Sequence, residues 1–148
     1  MIEPNTYVMA FLATVFAAWA GLVVGVSFLS ARAKFRAPSI TLRIALDVGR
    51  QTFGMLSRTE IMLAITASLA CMVVPFRLIA VGMAVVWAVI AAERLWLLPV
   101  LDLRAGIRMT GRALGPSYHH ALFARLEMAK ALLLLVCSGL VTLTLAGA

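Results

Sequence analysis

Charge is scarce in this chain, and negative charge is scarcest. Only 13% of its 148 residues are Asp, Glu, Lys or Arg, and 6 acidic residues stand against 13 basic ones. A soluble domain carries about 25% charged residues, so a solvated polar surface all round is excluded. Cysteine is limited to Cys71 and Cys137, both inside apolar runs. They have neither metal nor redox spacing and read as small apolar core residues. The chain lacks a glycine-rich phosphate loop, a nucleophile elbow, zinc-ligand spacing and a dinucleotide fingerprint. The common soluble-enzyme classes therefore have no support here.

What is present is apolar length. Hydrophobic residues make up 64% of the chain, and long uncharged runs carry the excess. This pattern predicts a polytopic membrane protein with one all-α domain over residues 1–148, a four-helix bundle. Spans are expected at about 7–29, 55–75, 78–98 and 122–146. The first run is long enough to cross a ~30 Å hydrocarbon core. It is too long for a signal-peptide core and lacks a basic leader, so it is expected to remain as a helix. Gly21 and Gly25 give it a small-xxx-small face that invites close approach of another helix. That face predicts a homo-oligomer or a subunit of a larger membrane complex.

Between the spans lie basic segments at about 31–54 and 100–121. The net charge is +7. Its placement beside apolar runs points to anionic lipid headgroups as partners rather than nucleic acid. Residues 31–56 carry five basic side chains and residues 100–121 carry three, whereas the opposite side carries Arg77 alone. By the positive-inside rule both segments face the cytoplasm and both termini lie outside, in a bacterial inner membrane. Each segment is expected to hold an amphipathic interfacial helix. In the first, Pro38 breaks the chain near Ala37, and Ser39 or Thr41 caps the next helix. In the second, Asp102 to Leu114 is amphipathic, Pro99 marks the end of the third span, and Gly115-Pro116 separates the segment from a fourth helix capped by Ser117.

The two halves share a plan. Phe53-Gly-Met-Leu-Ser-Arg58-Thr-Glu60 returns 67 residues later as His120-Ala-Leu-Phe-Ala-Arg125-Leu-Glu127. The same shift lays Arg94–Asp102 on Ser27–Phe35. We read two related helical hairpins.

The uncharged runs Ile61–Phe76 and Leu78–Ala92 are too short to span alone, so charged residues must be drawn into the membrane. Glu60, Glu93 and Glu127 fall at similar depth. Arg58, Arg94, Arg125 and Lys130 accompany them, with Lys130 on the face of Glu127. These seven residues predict a buried ionic layer near the cytoplasmic face. Its simplest role is structural, fixing packing and depth. A second role is a polar cavity for protons, ions or a small anionic ligand. A third is a metal site that adds His119 or His120 to Glu127 and the other glutamates. The third departs from the Glu-x-x-His pattern of carboxylate-bridged bundles, so no metal and no cofactor is expected. Arg32, Arg36, Arg50, Arg104 and Arg108 are the candidate contacts for an anionic ligand or for lipid.

The Phe53-x-x-Leu56-x-Arg58-x-Glu60 opening, with Pro99, Asp102, His120 and Glu127 in the second half, resembles small four-helix bacterial membrane proteins of uncharacterised function. Arg32 stands where the first copy would carry a proline. A second resemblance, through Leu29-Ser-Ala-Arg32-Ala-Lys-Phe35-Arg36 and Glu60, is to the membrane-associated proteins of eicosanoid and glutathione metabolism. It implies a trimer that conjugates glutathione to lipophilic electrophiles, with Arg32, Arg36, Arg50 and Glu60 binding the thiol donor. The chain departs from that family with Ser57 in place of an Asn, and with Glu93-Arg94-Leu-Trp96 in the third helix. The residues themselves favour a non-catalytic accessory subunit or a small solute- or ion-handling component.

Overall fold

The computed structural model describes residues 4–74, 76–112, 114–115 and 117–147. The polar start at Met1–Glu3, Pro75 of the expected outer turn, and Pro116 of the expected break before the fourth helix lie outside the described residues. Four long helices carry the fold: α1 (Asn5–Arg36), α2 (Leu42–Val73), α3 (Arg77–Met109) and α4 (Tyr118–Ala146). There is no strand among the described residues. All four helices are long and apolar enough to cross a membrane. At 1.5 Å per residue they measure about 44–50 Å, well beyond a ~30 Å hydrocarbon core.

Each helix packs against the next in sequence, and α4 closes the ring against α1, its most extensive neighbour. Neighbours are therefore antiparallel. Ser138 Oγ on α4 donates to the Ala13 carbonyl of α1 at 2.9 Å, and Trp87 Nε1 on α3 donates to Ser68 Oγ of α2 at 3.0 Å. Two such bonds fix the axial register of the helix pairs in a medium that offers no competing water.

The core follows helical spacing. Leu12, Phe16, Trp19 and Val23 form the inner stripe of α1 and are almost fully buried. They meet Ala64 and Ala67 of α2, Ile79, Met83, Val86 and Ile90 of α3, and Ala131, Leu134, Cys137 and Val141 of α4. Small residues at Ala64, Ala67 and Ala131 let the backbones come close. The closest approach is at Gly82, where an added Cβ would lie 2.8 Å from Cys137 Sγ. Gly21 and Gly25 instead meet nothing within 4 Å.

The outer surface is apolar too. Leu29, Met62, Leu69, Met72, Leu95 and Leu143 are all at least 60% exposed. A water-facing bundle does not present such a surface, whereas lipid accepts it. Outward hydroxyls are satisfied locally: Thr66 and Thr144 donate to the carbonyls four residues back at 2.9 and 2.8 Å. Taken together, these features describe a multi-pass membrane protein.

The connections show ordinary stop and start chemistry. Ala37 is extended (ψ 118°) ahead of Pro38, and Thr41 Oγ1 accepts the Ile44 amide at 3.4 Å to start α2. Helix α3 ends at Met109, and Gly111 just beyond it has a φ of +83°, which suits a residue without a side chain. Ser117 caps α4.

Residues 42–54 are the first turns of α2 and run directly into its apolar part, and residues 98–109 are the last turns of α3. One expectation changes. Pro99 does not end the third helix. A π-helical segment, Glu93–Leu97, precedes it, and the Leu98 amide bonds to the Glu93 carbonyl, five residues back. The wider turn absorbs the register change that a proline without an N–H imposes. A second π segment, Gly25–Ser30, interrupts α1.

Candidate functional site

A buried cluster of acidic and basic side chains sits between the apolar core and the ends of the helices that carry the basic segments. Measured along the helices, it lies roughly 20–28 Å from the opposite ends, a distance shorter than the ~30 Å thickness of a hydrocarbon core. All four helices contribute. Trp19 and Ser27 come from α1, Glu60 from α2, Glu93 from α3, and Glu127 and Lys130 from α4.

Lys130 is its centre. Its Nζ lies 2.7 Å from Glu60 Oε1, 2.7 Å from Glu93 Oε2 and 2.6 Å from Glu127 Oε1. Of the ammonium's three donors, Glu93 and Glu127 each accept one, and Glu60 completes the ion pairing. The side chains of Lys130 and Glu127 are 0% and 1% exposed, and those of Glu60 and Glu93 are 4%. Local geometry explains the convergence. Glu127 and Lys130 are three residues apart and share one face of α4. Glu93 opens the π segment of α3, and Ser27 lies in that of α1. In each helix the extra residue in the turn rotates a polar side chain inward.

Two neutral donors complete the arrangement. Trp19 Nε1 donates to Glu60 Oε1 at 3.1 Å, and Ser27 Oγ donates to Glu127 Oε2 at 2.6 Å. Glu93 has no such helper. Its Oε1 is buried without a hydrogen-bond partner among the described residues. One carboxylate oxygen from each glutamate lies within 4.8 Å of the others. A void of about 10 Å³ touches Glu60, Glu93 and Glu127 together, close to the volume one water requires.

The other basic residues assigned to the layer stand elsewhere. Arg58 and Arg125 are exposed and make no ion pair among the described residues. Each is two residues, about 200° of helix, from its glutamate and so points away from it. Arg94 is also exposed and donates to Ser57 Oγ at 3.1 Å instead of to a glutamate. The buried cluster thus holds three carboxylates and one cation.

Beyond Ser57, Phe53 and Leu98, which line both spaces, a cavity of about 750 Å³ opens at the basic end of the bundle. Lys34, Arg50, Arg58, Arg94, Arg104 and Arg108 line it against a single carboxylate, Asp102. Arg50 forms a two-pronged ion pair with Asp102, with Nη2 2.9 Å from Oδ2. Arg104 donates to the Gly115 carbonyl at 2.7 Å. Arg32 and Arg36 are exposed at the end of α1 and do not line the cavity.

His120 lines this cavity and does not join Glu127. His119 stacks on Tyr118 and bonds Ser117 through Nδ1 at 2.8 Å. The histidines therefore take no part in the carboxylate group, and Lys130 fills the position a metal would need.

Sequence reasoning passes over Trp19, Ser27, Ser57 and Lys34. The 67-residue shift pairs Ser27 with Arg94, which is a usable signal. Lys34 looks like an ordinary basic residue at a helix end. Comparison with protein-family models, curated proteins and solved structures found no match to this chain.

Proposed function

We propose that this protein is a non-catalytic, multi-pass component of the bacterial inner membrane that handles protons at the Glu60–Glu93–Glu127–Lys130 cluster. The observation that carries the reading is the imbalance of the cluster. The Lys130 ammonium is fully engaged by three carboxylates, and Glu93 Oε1 is buried with no donor. Fully ionised, the group would carry two uncompensated negative charges at membrane depth, each costing several kcal/mol. A compensating positive charge answers that imbalance, and a proton needs no more room than the void provides. A metal ion would have to displace Lys130.

The wider plan supports the same reading. The π segments Gly25–Ser30 and Glu93–Leu97 fall at matching places under the 67-residue shift. Two related hairpins would then meet at a polar layer, the usual site of ion coordination in repeat-built bundles. The cavity links that layer to the basic end, which the charge asymmetry assigns to the cytoplasm, leaving both termini outside. The open face at Gly21 and Gly25 supports a homo-oligomer or a larger membrane complex. Two observations weigh against the glutathione-transferase reading: Glu60 is committed to Lys130 and Trp19, and Arg32 and Arg36 lie off the cavity that Arg50 lines.

The test is proton flux into proteoliposomes under an imposed potential, followed with a trapped pH-sensitive dye. The wild-type protein is expected to exceed empty vesicles, and Glu93→Gln to lower the rate at least about tenfold, as loss of a positioned proton carrier does. Flux equal to that of empty vesicles, or unchanged by Glu93→Gln, would refute the reading.

A further inference from the structure

The 750 Å³ cavity at the basic end holds a cation whose place the ion-handling reading does not explain. Lys34 is only 8% exposed, yet it makes no hydrogen bond or ion pair among the described residues. Its ammonium is seated between two rings, 5.1 Å from the Phe53 centroid and 5.6 Å from that of Phe35. The rings stabilise the charge but accept none of its three N–H donors. Gly49 makes the seat possible: a Cβ there would lie 2.9 Å from Lys34 Nζ. An ammonium that has no protein acceptor among the described residues, is flanked by a glycine and two aromatic faces, and is open to a cavity rich in arginine is placed to meet an anion.

The walls define the rest of the ligand. Phe35, Leu42, Leu46, Phe53, Leu98 and Leu101 share the lining with the cations. A small inorganic anion has no use for such walls. The volume falls in the ~300–1,000 Å³ range of ligand pockets, and the site opens at the ends of membrane helices, where lipid headgroups lie.

We propose that this cavity binds an anionic phospholipid, its phosphate held by Lys34 and the unpaired arginines and its chain laid along the aromatic and leucine wall. Lys34, Arg58 and Arg108 are the main phosphate donors, because Arg50 is engaged by Asp102, Arg94 by Ser57 and Arg104 by Gly115. The inference stands apart from proton handling, since it uses none of the glutamates.

The experiment is native mass spectrometry of the delipidated full-length protein in neutral detergent. It is titrated separately with phosphatidylglycerol, phosphatidylcholine and inorganic phosphate. Phosphatidylglycerol is expected to bind at least about tenfold more tightly than phosphatidylcholine, the size of one charge-assisted contact. Lys34→Met is expected to remove most of that preference. Gly49→Ala, which displaces only the flexible end of Lys34, is expected to weaken phosphatidylglycerol in the same direction. Arg77→Ala, at the opposite end of the bundle, controls for non-specific charge and is expected to change nothing. Equal binding of the two lipids, or a preference that survives both Lys34→Met and Gly49→Ala, would overturn the proposal. Saturable binding of inorganic phosphate that displaces phosphatidylglycerol would assign the site to a soluble phosphate and overturn the lipid assignment. Lipid binding measured on Glu93→Gln separates this result from the cluster: its preference for phosphatidylglycerol should stay at the wild-type level.

Discussion

Replacing Lys130 by Met removes the only cation from the buried cluster while keeping the length and apolar volume of its stem. The side chain is 0% exposed and touches three carboxylates at 2.6–2.7 Å. Removing one partner of a buried pair costs about 3–5 kcal/mol, because the other is left uncompensated. Little of the loss should come from a cavity, since Met nearly fills the space. The expected destabilisation is therefore about 3–5 kcal/mol, roughly two to four decades in the unfolding constant. The measurement is reversible unfolding in mixed micelles at neutral pH, followed by tryptophan fluorescence. Trp19 sits on Glu60 and reports the cluster directly. Adding Glu127→Gln to Lys130→Met removes one of the stranded anions and should recover at least ~1 kcal/mol, a coupling of opposite sign to the single loss. A destabilisation below about 1 kcal/mol for Lys130→Met, or strict additivity in the double variant, would refute the claim that charge pairing organises this layer.

Other perturbations separate the parts of the structure. Trp19→Phe deletes the N–H that serves Glu60 and should cost about 1.5–3 kcal/mol in the same unfolding assay, the value of a hydrogen bond to a charged group. Gly82→Ala pushes a methyl against Cys137 Sγ and should destabilise by about 1–3 kcal/mol, with partial relief from Cys137→Ala. Asp102→Asn breaks a partly exposed pair with Arg50 and should lower stability only slightly, by an amount that shrinks further in high salt. Gly21→Leu with Gly25→Leu should weaken self-association, read by cross-linking in the membrane, without shifting monomer unfolding, since neither site touches the bundle.

Periodicity and the common level of the glutamates are the parts of this fold that the sequence makes legible. The runs beside Glu60 and Glu93 are too short to span alone, so both glutamates are expected among the apolar helices, where they are in fact buried. Lys130 follows from its i+3 spacing to Glu127. Arg58 and Arg125 share that depth but not that face, and pairing them with the glutamates by depth alone ignores the roughly 200° between positions two apart. The Trp19 and Ser27 hydrogen bonds require the α1–α2 and α1–α4 packing, which no local pattern encodes. The π segments have no compositional signature, so Pro99 reads as a stop where the helix in fact continues. Lys34 is hidden for a simpler reason. After a long apolar run a basic residue normally reaches for water, and only Gly49, fifteen positions away and on another helix, makes room for it to turn inward.

Proton handling requires that the buried cluster hold an exchangeable proton. Infrared difference spectroscopy of the reconstituted protein, recorded in H₂O and D₂O, observes this directly. A protonated-carboxyl band that shifts on deuteration at neutral pH and disappears in Glu93→Gln is the predicted result. A spectrum with no protonated carboxyl at neutral pH, or one whose band survives Glu93→Gln unchanged, would contradict it.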